Sequence, residues 1–226
     1  MDLSVFEELI GYEFKNKELL TRALTHSSFA NENKLPHDNE RLEFLGDSVL
    51  GFVTAEYLFE EFKNRPEGAL TKLRAAVVCE KSLFKFAEKI RLGEFILMGR
   101  GEEHTGGRNR PSIVSDAFEA VIAAMYLDGG IDVVKPYILG FIKEAVKREA
   151  SFKDNKSLLQ EEIQKIKGNT LTYEEVGEEG PDHDKTFIFK VSLNGEVIGE
   201  GKGKSKKEAE QNAAGIALNK IYNEAL

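Results

Sequence analysis

The chain has 226 residues, 41% of them hydrophobic and 31% charged, which permits a buried core and excludes a fully disordered chain. A net charge of −8 and a pI of about 5.3 argue on average against nucleic acid as a partner, although a local basic patch escapes an average. The single cysteine, Cys79, excludes an intramolecular disulfide, and inside RAAVVCEKSL it reads as small core filler rather than a nucleophile.

The N-terminus, MDLSVFEELIGYEF, carries acids and no long apolar run, so it does not read as a signal peptide. No stretch reaches the roughly 18 apolar residues of a membrane span, and the chain reads as soluble and cytoplasmic. FEELIGYEF predicts a short amphipathic turn or helix. In NKELLTRALTH, Asn16 is a candidate N-cap ahead of apolar Leu19, Leu20, Ala23 and Leu24. NENKLPHDN is polar with a proline and predicts a loop. Residues 40–62 predict a long helix that ends before Arg65-Pro66-Glu67-Gly68, and EGALTKLRAAVVCEKSLFKFAEKI predicts two more. GRGEEHTGGRNRPS is glycine-rich and charged, a loop of low order. IVSDAFEAVIAAMYLDGG predicts an apolar helix stopped by Gly129-Gly130, and IDVVKPYILGFIKEAVKREA a last helix with a broad apolar face. Residues 1–150 therefore read as an all-α domain.

The pattern then changes. SFKDNK, residues 151–156, is a short polar linker candidate. LLQEEIQKIK predicts a helix, and TLTYEEV, KTFIFKVSL and EVIGEGKG predict strands, with the hairpin signal Asn194-Gly195 between the last two. KSKKEAEQNAAGIALNKIY closes as an amphipathic helix. The order α-β-β-β-α over residues 157–226 predicts a small α+β domain, a three-stranded sheet with two helices on one face.

Two helices carry an oddity. In NERLEFLGDSVLGF, Glu40, Glu43 and Asp47 stack on one stripe of a largely apolar helix. In SDAFEAVIAAMY, Asp116 and Glu119 do the same among small and apolar residues that let helices approach closely. An acidic stripe is commonly a solvated face, and Glu40 alone is open to that reading. Leu42, Phe44, Leu45, Val49 and Leu50 leave Glu43 and Asp47 little solvent face. Facing stripes of bare carboxylates repel, whereas hard divalent cations between them make the pairing favourable. Mg²⁺ takes oxygen ligands and often binds through carboxylates plus substrate phosphate. No Cys/His cluster has zinc spacing.

At these residues the chain resembles ribonuclease III. ERLEFLGDSVL and SDAFEA are similar to that family's two acidic motifs, and ALTHSS and GRGEEHTGGRNR also fit. GEGKGKSKKEAEQNAA resembles the end of a double-stranded-RNA-binding domain. The resemblance implies an all-α endonuclease domain that homodimerises, followed by a small α+β duplex-binding domain. It implies one acidic site per subunit, each cutting one strand of duplex RNA to leave 5′-phosphates and short 3′ overhangs. Structured precursors such as rRNA and mRNA are the implied substrates. By position, Glu43, Asp47, Asp116 and Glu119 are the implied metal ligands, with Asp47 and Glu119 catalytic and Glu40 and Glu67 supporting the cleavage site. The implied cofactor is Mg²⁺, with Mn²⁺ as a substitute, and no small-molecule cofactor or membrane partner is expected. Divalent ions about 3.5–4 Å apart can activate a water and stabilise a departing 3′ oxygen. No histidine base is then required, so His26 reads as a packed, hydrogen-bonded residue, and His37 and His104 suggest nothing.

The basic residues concentrate late, with Lys202, Lys204, Lys206 and Lys207 inside one short stretch. Ser205 or Lys206 opens the last helix, which places Lys206 and Lys207 at a positive helix start suited to phosphate. Such lysines read duplex shape more than sequence. The resemblance adds Gln160 and Glu161 on the first helix of this domain and His183 in the GPDHDK loop as minor-groove contacts. That loop is unusually acidic, with Glu178, Glu179, Asp182 and Asp184 close to His183. For Arg108 and Arg110, RNA contact and a mobile surface loop both stay open. The rival readings are a duplex-RNA-binding protein that does not cut, a nucleotide phosphohydrolase with a helical acidic core, and a structural ribosome-associated protein. The first and third predict lost motif acids, and the second leaves the C-terminal domain unexplained.

Overall fold

The computed structural model describes residues 3–63, 65–151, 155–165, 168–181 and 184–224. Contacts divide the chain into two units, Met1–Phe62 with Leu70–Val146, and Lys63–Ala69 with Lys147–Leu226. Helices α1 (Leu3–Ile10), α2 (Lys17–Ala23), α3 (Ser27–Asn33), α4 (Glu40–Glu61), α5 (Glu67–Val77), α6 (Glu80–Lys89), α7 (Arg100–His104), α8 (Pro111–Gly129) and α9 (Ile131–Ser151) come first. Then follow α10 (Asn155–Gln164), strands β1 (Leu171–Glu179), β2 (Thr186–Leu193) and β3 (Glu196–Gly203), and α11 (Lys206–Glu224). Among the described residues no helix is long and apolar enough to cross a membrane.

In the first unit, local signals act as expected. Asn16 caps α2, its side chain accepting from the Glu18 N–H at 3.0 Å. Helix α8 stops where Gly130 adopts φ 78°. The core forms around α8, whose Ile113, Val114, Ala117, Phe118, Val121 and Ile122 are all buried. Helices α2, α4 and α6 pack against it, which is why it is apolar nearly all round. On α4, Val49, Leu50 and Val53 face this core, whereas Phe44, Phe52 and Phe59 stand exposed.

Three expectations give way to tertiary structure. NENKLPHDN is not wholly loop, because α3 runs through Asn33. The His26 ring caps α3 by accepting from the Ser28 N–H. Residues 99–112 are ordered into α7 and a 3₁₀ turn at Gly107–Asn109. The Arg108 guanidinium pins this segment by donating to the carbonyls of Gly93, Glu94 and Ile96 at 3.0, 3.2 and 2.9 Å, and Arg110 pairs with Glu102. Cys79 is exposed at the N-cap position of α6 rather than packed in the core.

In the second unit, β1, β2 and β3 form an antiparallel sheet with β2 central. Asn194 and Gly195, at φ 51° and 89°, make the predicted β2–β3 turn. Helices α10 and α11 cover the sheet around Leu159, Ile163, Val191, Ala213, Ala214, Ala217 and Leu218. Gly199, Gly201 and Gly203 share one face of β3, and a Cβ on any of them would collide with the α11 backbone. The alternating glycines of GEGKG thus let α11 lie directly on the sheet. Helix α9 includes Ser151 and α10 starts at Asn155, while residues 152–154 lie outside the described residues.

Candidate active site and duplex-binding face

Helices α4 and α8 cross where Gly46 meets Glu119. A Cβ at Gly46 would collide with the Glu119 carbonyl oxygen, so only glycine permits this approach. The close crossing brings the two acidic stripes together. Carboxylate oxygens of Glu43, Asp116 and Glu119 lie within 4.8 Å of one another, and all three residues are half-buried. Asp47 and Glu40 are exposed on α4, and Glu67 opens α5 in the stretch 63–69. Asp47 and Glu40 stand outside the three-carboxylate group.

The electrostatics follow from crowding. Burial pushes the Glu119 carboxyl up to about 8, helped by the charges of Asp47, Asp116 and Glu43. Burial raises Glu43 as well, with Asp116, Glu40 and Asp47 adding repulsion. Asp47 therefore acts on the cluster through space. Asp116 is raised by burial and then by Glu80, with His26 pulling the other way. Glu80, in the first turn of α6, escapes a reading of the acidic stripes because its neighbour Asp116 is distant in sequence. The His26 Nδ1 accepts from Ser28, whose Oγ in turn accepts from the Gly99 N–H at 2.9 Å. The ALTHSS segment thus ties α3 to the start of α7.

The donor set fits a hard divalent cation. Three carboxylates, oxygen ligands only, come within 4.8 Å of one another, and their burial, with mutual repulsion added, favours a protonated Glu119. A cation there would offset both the burial of charge and the mutual repulsion that raise Glu119.

In the second unit, Gln160 and Glu161 lie exposed on α10, and Lys202, Lys204, Lys206 and Lys207 are exposed at the end of β3 and the start of α11. His183 lies outside the described residues. The start of α11 is capped reciprocally. Ser205 Oγ accepts from the Glu208 N–H at 3.2 Å, and Glu208 accepts from the Lys204 N–H at 2.8 Å.

A family model described as ribonuclease-III-like matches residues 16–146, and one described as a double-stranded RNA binding motif matches residues 155–221. The chain belongs to the ribonuclease III family. Ribonuclease 3 of Caldanaerobacter subterraneus is 52% identical over 97% of this chain and 98% of that protein. Ribonuclease 3 of Anoxybacillus flavithermus is 51% identical over 96% of this chain and 92% of that protein. The solved nuclease domain of ribonuclease III from Campylobacter jejuni is 49% identical, with a TM-score of 0.60 over 64% of this chain and 98% of that domain. The α4–α8 crossing falls inside the first matched span and the lysine stretch inside the second.

Proposed function

We propose that this chain is an endonuclease that hydrolyses phosphodiester bonds of double-stranded RNA at the α4–α8 site, with Mg²⁺ as cofactor and Mn²⁺ as a substitute. The observation that carries this reading is the convergence of Glu43, Asp116 and Glu119 within 4.8 Å. Glu43, Asp116 and Glu119 would hold the cation, joined by Asp47 from the same stripe. A bound divalent cation supplies charge to accept the anionic phosphodiester and lowers the barrier to attack by water. The chain's part is to aim oxygen ligands from two rigid helices, with Gly46 fixing their separation. Glu119 would coordinate the cation as the carboxylate, so loading the site would favour its deprotonated form. Asp47 and Glu119 are assigned the catalytic role that the resemblance to ribonuclease III implies for them. Glu40 and Glu67 are assigned support of the cleavage site, and the products are assigned 5′-phosphates and short 3′ overhangs.

Residues 1–150 are assigned to the nuclease domain and 157–226 to the duplex-binding domain, joined by 151–156. The spans of the two family models support this division. Lys202, Lys204, Lys206 and Lys207 would grip phosphates, with Gln160, Glu161 and His183 at the minor groove. A homodimer is supported by the exposed stripe of Phe44, Phe52 and Phe59 on α4, a costly surface for a lone protomer. The Campylobacter nuclease domain, in turn, is described with a region involved in dimer formation. Long perfect duplex RNA incubated with Mg²⁺, with and without excess EDTA, tests the reaction. Short duplex products that vanish with EDTA are expected. Cleavage that survives chelation overturns the metal site, and intact but bound RNA with Mg²⁺ overturns the enzyme.

A further inference from the structure

The lysines assigned to phosphate are already occupied. Lys206 Nζ lies 2.6 Å from a Glu175 oxygen and 5.6 Å from the centroid of the Phe187 ring. Lys202 reaches across the central strand to Glu179 on β1, at 2.8 and 2.9 Å. Lys204 meets Asp184 at 2.6 Å. Neighbouring Lys185 is held by Glu178 at 2.9 Å. Among the described residues, Lys207 alone of the four forms no ion pair. The acids come from β1, whose stretch EEVGEE carries Glu174, Glu175, Glu178 and Glu179, and from the turn that follows it. The patch that is basic in sequence is therefore close to neutral in the folded unit.

We infer that Glu175, Glu179 and Asp184 are specificity-determining residues. They hold Lys206, Lys202 and Lys204 in the free protein and yield them as a set most readily to a ligand that presents several phosphates at duplex spacing. This inference rests on the reading of those lysines as phosphate ligands. The pairs are solvent-exposed, so each is weak and exchanges readily. A ligand that engages one lysine merely swaps one carboxylate for one phosphate. A duplex engages several lysines at once, and its fixed groove geometry makes those exchanges concerted. The displaced carboxylates then lie beside the phosphates and repel them, which lowers the net charge that counterion release reports.

The test uses the full chain in EDTA, with the RNA checked for integrity. Filter binding to a long perfect duplex and to single-stranded RNA is titrated against salt for the wild type and for Glu175→Gln with Glu179→Gln and Asp184→Asn. Each pair shifts an equilibrium by about 1.5- to 5-fold, so the triple variant is expected to bind duplex about 3- to 100-fold tighter. Its salt slope should steepen by about one to two, and its single-strand binding should rise by a larger factor than its duplex binding. Unchanged or weaker duplex binding by a folded triple variant, or a single-strand gain no larger than its duplex gain, overturns the inference. If the triple variant does not fold, the three single variants decide it, each expected to bind about 1.5- to 5-fold tighter. Lys206→Ala with Lys207→Ala, run alongside, separates the two ideas. If it binds as wild type, the lysine reading fails and the inference falls with it. If it weakens while the acid variants bind as wild type, the inference alone fails.

Discussion

Replacing Glu119 by glutamine should stabilise the cation-free protein at alkaline pH and leave it unchanged at acid pH. Glu119 titrates at an ordinary 4.5 when unfolded and at about 8 in the folded site. Between those values the folded state holds a proton that the unfolded chain has lost. Stability from this group is therefore present below pH 4.5 and is lost as pH rises to about 8. The whole span would correspond to about 5 kcal/mol if fully expressed. The carboxyl keeps partial solvent contact, which lessens both the cost of burying its charge and the repulsion, so about 2 kcal/mol is the working figure. Glutamine keeps the shape and carries no charge, so it escapes this loss. In EDTA the variant should melt about 4–8 °C above wild type at pH 8, and within about 1 °C of it at pH 5. Adding Mg²⁺ at pH 8 should raise the wild-type melting temperature and close the gap. Calorimetry across pH, with and without Mg²⁺, measures all of this. A variant that melts below wild type at pH 8, or an equal gain at both pH values, refutes the account of a buried, crowded carboxylate.

Other substitutions probe the supports of the site. Gly46→Ala drives a methyl into the Glu119 carbonyl, so it should cost about 1–3 kcal/mol and abolish Mg²⁺-dependent cleavage by separating α4 from α8, read by melting and by duplex cleavage. Arg108→Ala strips donors from the carbonyls of Gly93, Glu94 and Ile96 and should cost about 1–3 kcal/mol. Duplex affinity in filter binding should stay unchanged for Arg108→Ala, and a loss of binding with normal stability would instead make Arg108 an RNA contact. Phe44→Ser with Phe52→Ser should shift the protein to monomer in sedimentation, because both side chains are exposed and the core of the protomer does not depend on them.

The elements governed by neighbours in sequence were legible from residues alone. The Asn16 cap, the Gly130 stop and the Asn194-Gly195 hairpin each depend on groups a few residues apart, and each forms as its local chemistry dictates. The acidic stripes were legible too, because spacing on a helix is a one-dimensional property. Only tertiary structure decided what those stripes face. Gly46 and Glu119 are far apart in the chain, and their contact brings Glu43, Asp116 and Glu119 together while Asp47 remains exposed. Periodicity likewise could not divide α4, since which apolar side chains are covered depends on what packs there: Val49, Leu50 and Val53 are buried and Phe52 is not. The stretch from Gly99 to Ser112 looked loose because its order comes from Arg108 reaching carbonyls elsewhere. Charge counted along the chain made the late lysines a basic patch. Folding sets each of three beside a carboxylate at least 20 residues away, because Coulomb's law acts on distance in space and not on position in sequence.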